Sequence, residues 1–272
     1  MKERLLRDLA SEVKDQKGAL EVETFHGLVF REARKAGLEL PTNPNSDWYE
    51  TQAVYFLLEA VEKNGTRFDA IVIDEGQDFS KDWLEVLIDD LLVRDGFFYF
   101  FADPNQVLYQ RDWEIPGQHI SFELVENCRN TYPIAKKVAG LLPEGKSVTQ
   151  SRLVGGLNPE FVEVSDAAKL GPAVLSLAKK ILSGGIPPEE LAILTNSKNL
   201  NEQLKVPSGV LVDTVHHGKG LEWEAVILAL DVNQQESHLH ILAYIGESRA
   251  KAILYVVGSP RLREIIRWDQ ER

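Results

Sequence analysis

The apolar run Ile71-Val72-Ile73 leads straight into Asp74-Glu75-Gly76-Gln77-Asp78. Ligands of parallel sheets sit just beyond the carboxyl ends of the strands. The first two carboxylates therefore fall where an active site would be. An aspartate at such a place can hold Mg²⁺, and a neighbouring acid or amide can orient the water that attacks a phosphoryl group. The plain alternative is an acidic turn that closes a core strand. Four further clusters fall at the ends of predicted elements: Ala102–Gln106 after FFYFF, Glu126–Thr131 after ISFELV, Asp213–Trp223 after GVLV, and Tyr244–Lys251 before AILYVV. Caps, turns and solvated basic residues would explain each of them singly.

The elements that must position these clusters are legible as a pattern. Strand-like runs recur at Ala70–Ile73, Phe97–Phe101, Ile120–Val125, Phe161–Val164, Leu191–Leu194, Val210–Val212, Ala225–Leu230 and Ile253–Val257. Trp83–Val93 and Ala173–Ser183 space their apolar residues as amphipathic helices do, and Tyr244–Lys251 is expected to be helical. Alternating strands and helices predict α/β architecture with mostly parallel sheets. Pro116 and Gly117 interrupt the pattern, which places a domain boundary near residue 118 and gives domains 1–118 and 119–272.

Composition narrows the classes. A hydrophobic content of 44% with 26% charged residues is that of a globular protein, and 272 residues suffice for two domains. The single cysteine, Cys128, excludes an internal disulfide framework and suits a reducing, cytoplasmic compartment. No twenty-residue apolar stretch suggests a membrane span. The net charge of −12 argues mildly against a nucleic-acid binder, although a local basic groove would suffice for one.

Taken in order, the clusters resemble the motifs of UvrD/Rep-type superfamily 1 DNA helicases, most closely the subset with DEGQD and ENCRNT. The resemblance runs from Thr24 to Val257. TFHGL at 24–28 is similar to motif Ib, DEGQD at 74–78 to motif II and ADPNQVLY at 102–109 to motif III. ENCRNT at 126–131 is similar to motif IV, VDTVHHGKGLEWEAV at 212–226 to motif V and YIGESRAK at 244–251 to motif VI. The resemblance implies two RecA-like lobes of the P-loop NTPase type, with ATP and Mg²⁺ as cofactors and single-stranded DNA as partner. It implies that Asp74 coordinates Mg²⁺, that Glu75 activates water, and that Gln77 and Gln106 sense the γ-phosphate. Arg129 and Arg249 would be arginine fingers, since a guanidinium is an always-ionised stabiliser of developing phosphoryl charge. Glu222 would accept from the nucleotide sugar, with Lys219 also on the nucleotide. Thr24, Phe25, His26, Tyr109, Thr214 and His216 would face the nucleic acid, where aromatic stacking tolerates any base; core packing is the alternative for Phe25 and Tyr109. Three departures are evident. Cys128 stands where relatives carry an adenine-stacking aromatic, Arg111 where an aromatic follows motif III, and Ala102 where a glycine begins it.

One part of the resemblance is missing. No G-x-x-x-x-G-K-[ST] loop precedes Asp74, and the formal match, Gly140–Ser147, follows a predicted helix, Tyr132–Leu142. A working loop opens a helix, so that N-terminal N–H groups meet phosphate; the end of a helix presents carbonyls, which repel it. Lys2–Lys17 resembles the helix that follows the loop in relatives, so the chain is expected to start one βα unit late, with an incomplete first lobe. These expectations give a helicase fragment with little or no ATPase activity of its own, the phosphate loop coming from an N-terminal segment or a partner chain. The rival reading is a non-catalytic module that binds single-stranded nucleic acid or a protein.

Overall fold

The structure, a computed structural model, describes residues 20–106, 115, 117–124, 126–142, 150–232 and 236–270. Two compact units divide them. The first comprises residues up to Pro104 and the stretch ending at Ile120; the second comprises Asn105, Gln106 and the residues from Ser121 onward.

In the first unit, helices α1 (Phe25–Lys35) and α2 (Ala53–Asn64) pack beside a parallel pair, β1 (Phe68–Ile73) and β2 (Leu92–Phe100). Leu28 and Val29 of α1, Val54, Leu57 and Val61 of α2, and Ile73 of β1 share one core with Trp83 and Leu84. Gly65 closes α2 in left-handed backbone at φ 64°, a conformation that costs glycine nothing. The buried Glu32 ties the two helices together. Its carboxylate accepts from Asn64 Nδ2 at 2.9 Å and from Thr66 Oγ1 at 2.7 Å. Burial pushes its pKa up, but the bonds from Thr66 and Asn64 and the charges of Lys35 and Arg31 outweigh burial and hold it below the usual value.

The sequence expectation of one helix over Trp83–Val93 is corrected. Helix α3 (Lys81–Glu85) widens into a π-helical turn, Val86–Leu91, and the chain then enters β2 at Leu92. The run LLV suits either element, and the parallel ladder with β1 decides it.

The second unit is built on a five-stranded, all-parallel sheet in the order β5-β9-β8-β6-β7. The strands are β5 (Glu160–Glu163), β6 (Leu191–Thr195), β7 (Leu211–Thr214), β8 (Trp223–Ala229) and β9 (Ala250–Gly258). A strand covered on both faces reads as a continuous apolar run, and β6 is buried at every position. Alternate side chains feed two cores. Leu194, Val226, Leu228 and Val256 meet Ile134, Leu242 and Leu262 on one face. Ile193, Ala225, Ile227 and Val257 meet Val174, Leu177 and Ile181 of the helix Leu170–Ser183 on the other.

Two further expectations are corrected. The apolar alternation predicts a strand over Ile120–Val125, but residues 120–124 form no ladder, and the pairing begins at β3 (Glu126–Asn127), beside β4 (Gln150–Ser151). Tyr244–Lys251 is not one helix: a helix ends at Glu247, and β9 begins at Ala250.

Candidate functional site

In the first unit, the β1–β2 ladder continues past both strands. Phe101 N donates to Ile73 O at 2.9 Å, and Gly76 N donates to Phe101 O at 2.8 Å. The DEGQD turn is thereby fixed beside the start of ADPNQ. Gly76 is required there, because a Cβ would lie 2.3 Å from the Phe100 ring. Glu75 takes φ 53°, a left-handed conformation that a non-glycine residue adopts at some cost. Its N–H donates to Asp74 Oδ1 at 2.9 Å. Gln77 is fully buried and bridges two motifs: Nε2 donates to Glu75 Oε2 at 2.6 Å, and Oε1 accepts from Asp103 N at 2.9 Å. The result is an acid held in one rotamer at the end of a parallel strand, next to the exposed Asp74.

Among the described residues, no three His, Cys, Asp or Glu side chains cluster as a metal site. Asp74 offers a single carboxylate. That suits Mg²⁺ arriving with phosphates, since Mg²⁺ usually takes few protein ligands and keeps substrate oxygens.

TFHGL opens α1. Thr24 is exposed and caps the helix, accepting from Gly27 N at 3.0 Å. Phe25 is only 6% exposed and stacks on Trp83 at 4.2 Å with an interplanar angle of 7°. The Phe25 ring thus packs in the core, the arrangement its sequence left open beside strand contact. His26 is half-buried, with Nε2 2.9 Å from Tyr49 O; a carbonyl only accepts, so that nitrogen carries the proton. Tyr109, Arg111, Lys2–Lys17 and residues 143–147 of the formal G-x-x-x-x-G-K-[ST] match lie outside the described residues. Gly140 does lie at a helix C-terminus, following Tyr132–Ala139.

In the second unit, ENCRNT folds as a turn around its two asparagines. Asn127 Oδ1 accepts from Arg129 N at 3.0 Å and from Asn130 N at 2.9 Å, and Asn127 Nδ2 donates to Asn130 Oδ1 at 2.9 Å. The buried Asn130 amide then donates to Ser248 O at 3.0 Å and Ala250 O at 2.6 Å, the carbonyls on either side of Arg249. Thr131 N adds a bond to Lys251 O. Sequence reasoning missed both asparagines; their N-x-x-N spacing, typical of side chains that bond nearby backbone, was the available signal.

Two residues with separate expected roles meet here: Arg129 Nε lies 2.8 Å from Glu222 Oε2, with Lys251 Nζ 3.9 Å from the other oxygen. Arg249 is buried, and its acceptors include Ile245 O and Gln106 Oε1 at 3.0 Å, Ser248 Oγ at 3.0 Å and Leu221 O at 3.4 Å. Lys219 Nζ donates to Gln106 O at 3.0 Å. Gln106 thus joins Lys219 and Arg249, two clusters 30 residues apart in sequence.

Thr214 ends β7, and its N–H donates to Asp213 Oδ1 at 2.7 Å. His216 is half-buried beside His238. Burial first, then the neighbouring imidazoles, lowers its pKa and favours the neutral ring. Asp213 also meets His217 Nδ1 at 2.8 Å. Glu247 is fully enclosed, with no hydrogen-bond partner for either carboxyl oxygen; burial pushes its pKa up to about 8 against the opposing charge of Lys137.

No helix among the described residues is long and apolar enough to cross a membrane. The model of the viral superfamily 1 RNA helicase core domain matches residues 22–258. Solved structures similar to the chain include the C-terminal domain of a possible DNA helicase from Lactobacillus plantarum WCFS1. It is 23% identical at a TM-score of 0.39, over 51% of this chain and 93% of that one. No curated protein matches the sequence closely enough to imply kinship. The parallel α/β architecture agrees with a helicase RecA-like fold. With the match spanning nearly all of the motif-bearing sequence, the chain belongs to the superfamily 1 helicases, in the family described as the viral superfamily 1 RNA helicase core domain.

Proposed function

We propose that this chain is the motor part of a UvrD/Rep-type helicase that couples ATP hydrolysis to movement on single-stranded DNA. The observation that carries the reading is the bridge from Glu75 through Gln77 to the Asp103 backbone. It ties a carboxylate at a strand end to motif III, which supports a water-orienting role for Glu75. Bound Mg²⁺-ATP supplies the reacting phosphate and the metal charge. Asp74 supplies the metal's protein carboxylate, Glu75 orients and takes a proton from water, and Arg129 and Arg249 supply fixed positive charge. Glu222 and Lys219 serve the nucleotide, while Thr24, Thr214 and His216 meet the strand.

The 272 residues hold no phosphate-binding loop before Asp74. A polypeptide of these residues alone is therefore expected to bind Mg²⁺-ATP weakly and hydrolyse it at background rate, unless a further segment or partner supplies that loop. The same observation favours a second reading for the isolated polypeptide, a non-catalytic single-strand-binding module. Fluorescence anisotropy with single-stranded DNA and RNA at low salt tests the strand-binding part, and absence of binding to both would exclude it. ATPase assays with and without DNA test the catalytic part. Any stimulated hydrolysis should vanish in Glu75→Gln; hydrolysis indifferent to that change would remove Glu75 from its assigned role.

A further inference from the structure

We infer that a groove of the second unit, between the helix Leu170–Ser183 and the segment Lys205–Pro207, docks an acidic amphipathic helix of a partner protein. The groove has a volume of about 540 Å³, and its apolar lining comes from Leu175, Ala178, Leu182, Val206 and Pro207. None of the residues assigned to nucleotide or strand takes part.

A surface helix usually has one apolar stripe and a polar opposite face. This helix carries more apolar surface than its sheet covers. Val174, Leu177, Ala178 and Ile181 are buried against β6, β8 and β9. Leu175 and Leu182, at i and i+7, form a second stripe that stays only partly buried.

Lys179 and Lys205 supply the charge, one from each side of the groove. Both are exposed, and neither makes an ion pair among the described residues. Lys180, next in the chain, is by contrast engaged: its Nζ donates to Tyr255 Oη at 2.9 Å and lies 4.0 Å from Glu160 Oε1. No acid lines the groove, and Leu170–Ser183 contains none. In a chain of net charge −12, two unpaired cations flanking an apolar trough select an occupant that is apolar at its centre and acidic at its edges.

A nucleic-acid strand fits less well. The lining offers no aromatic ring for a base, and phosphate contacts would leave the apolar floor unused. An amphiphile with one carboxylate would match one lysine and leave the other. An amphipathic helix lays its apolar stripe into such a groove and brings acids on both flanks.

The test follows the full chain by fluorescence anisotropy with a fluorescein-labelled peptide that carries leucines at i, i+3, i+4 and i+7 and glutamates on both flanks. Binding is expected at low salt and should weaken as salt rises. Lys179→Glu combined with Lys205→Glu should weaken it roughly tenfold or more. Lys63→Glu combined with Lys81→Glu, which changes the net charge equally through two exposed lysines of the first unit, should leave it unchanged. Replacing the peptide's leucines by alanine should abolish binding to the parent chain, a result that does not depend on any variant folding. No binding by the parent, equal losses in the two double variants, or an alanine peptide that binds as well overturns the proposal. Phosphatidylglycerol vesicles that bind the parent but not the Lys179 and Lys205 double variant would also overturn it and assign the groove to an anionic membrane surface.

Discussion

The Gln77 side-chain amide donates to the Glu75 carboxylate at 2.6 Å, while Glu75 itself sits in left-handed backbone at φ 53°. Strain and orientation are thus stored at the same residue, and the buried Gln77 is the brace. Gln77→Ala is expected to cost about 1–3 kcal/mol, because the Asp103 N–H loses its acceptor. Gly76→Ala should cost about the same through its clash with the Phe100 ring. Denaturant melts check both, and unchanged midpoints would show that the turn is not held this way.

Asn130 braces the other cluster. Asn130→Ala removes the donor for two buried carbonyls and is expected to destabilise the second unit by about 2–4 kcal/mol. Asn130→Asp should be worse, since a carboxylate offers those carbonyls no N–H. If the aspartate variant melts like the parent, the clamp is not formed.

Glu247 makes stability depend on pH. Its folded pKa of about 8 lies above the ordinary value of 4.5 for a glutamate. Between these values the unfolded chain releases a proton that the folded chain keeps, so this group's contribution to stability falls as pH rises through the window. Below about 4.5 the penalty is absent, and above about 8 it is constant. Glu247→Gln should therefore gain on the parent steadily from pH 5 to pH 8, and Glu247→Met should be more stable than the parent at neutral pH. Thermal melts across that range decide it; a constant difference between Glu247→Gln and the parent would rule the carboxylate out as the source.

Phe25 separates core packing from strand binding. Phe25→Ala is expected to cost about 3–5 kcal/mol, as large-to-small core changes do. Phe25→Leu, which keeps much of the volume, should leave single-strand affinity at the parental value. A selective loss of affinity in a well-folded Phe25→Leu protein would return this ring to the nucleic-acid face.

The sequence by itself determined the parallel α/β class, because apolar runs such as Leu191–Leu194 and Ala225–Leu230 alternate with segments of helical periodicity. It also determined the order of the motifs and the place of Asp74 and Glu75 at a strand end, since an apolar run that stops at carboxylates must stop at the sheet's rim. Local pattern could not decide between helix and strand at Leu92, where the β1 ladder settles the outcome. Nor could it tell a stacking ring from a core ring at Phe25, because an aromatic suits both and only the partner, Trp83, distinguishes them. The clamps were hidden for the same reason. Asn130 meets Ser248 and Ala250 across more than a hundred residues, and Gln106 meets Arg249 across a similar span. Hydrogen bonds are satisfied in space, so their pairing was left to the tertiary structure.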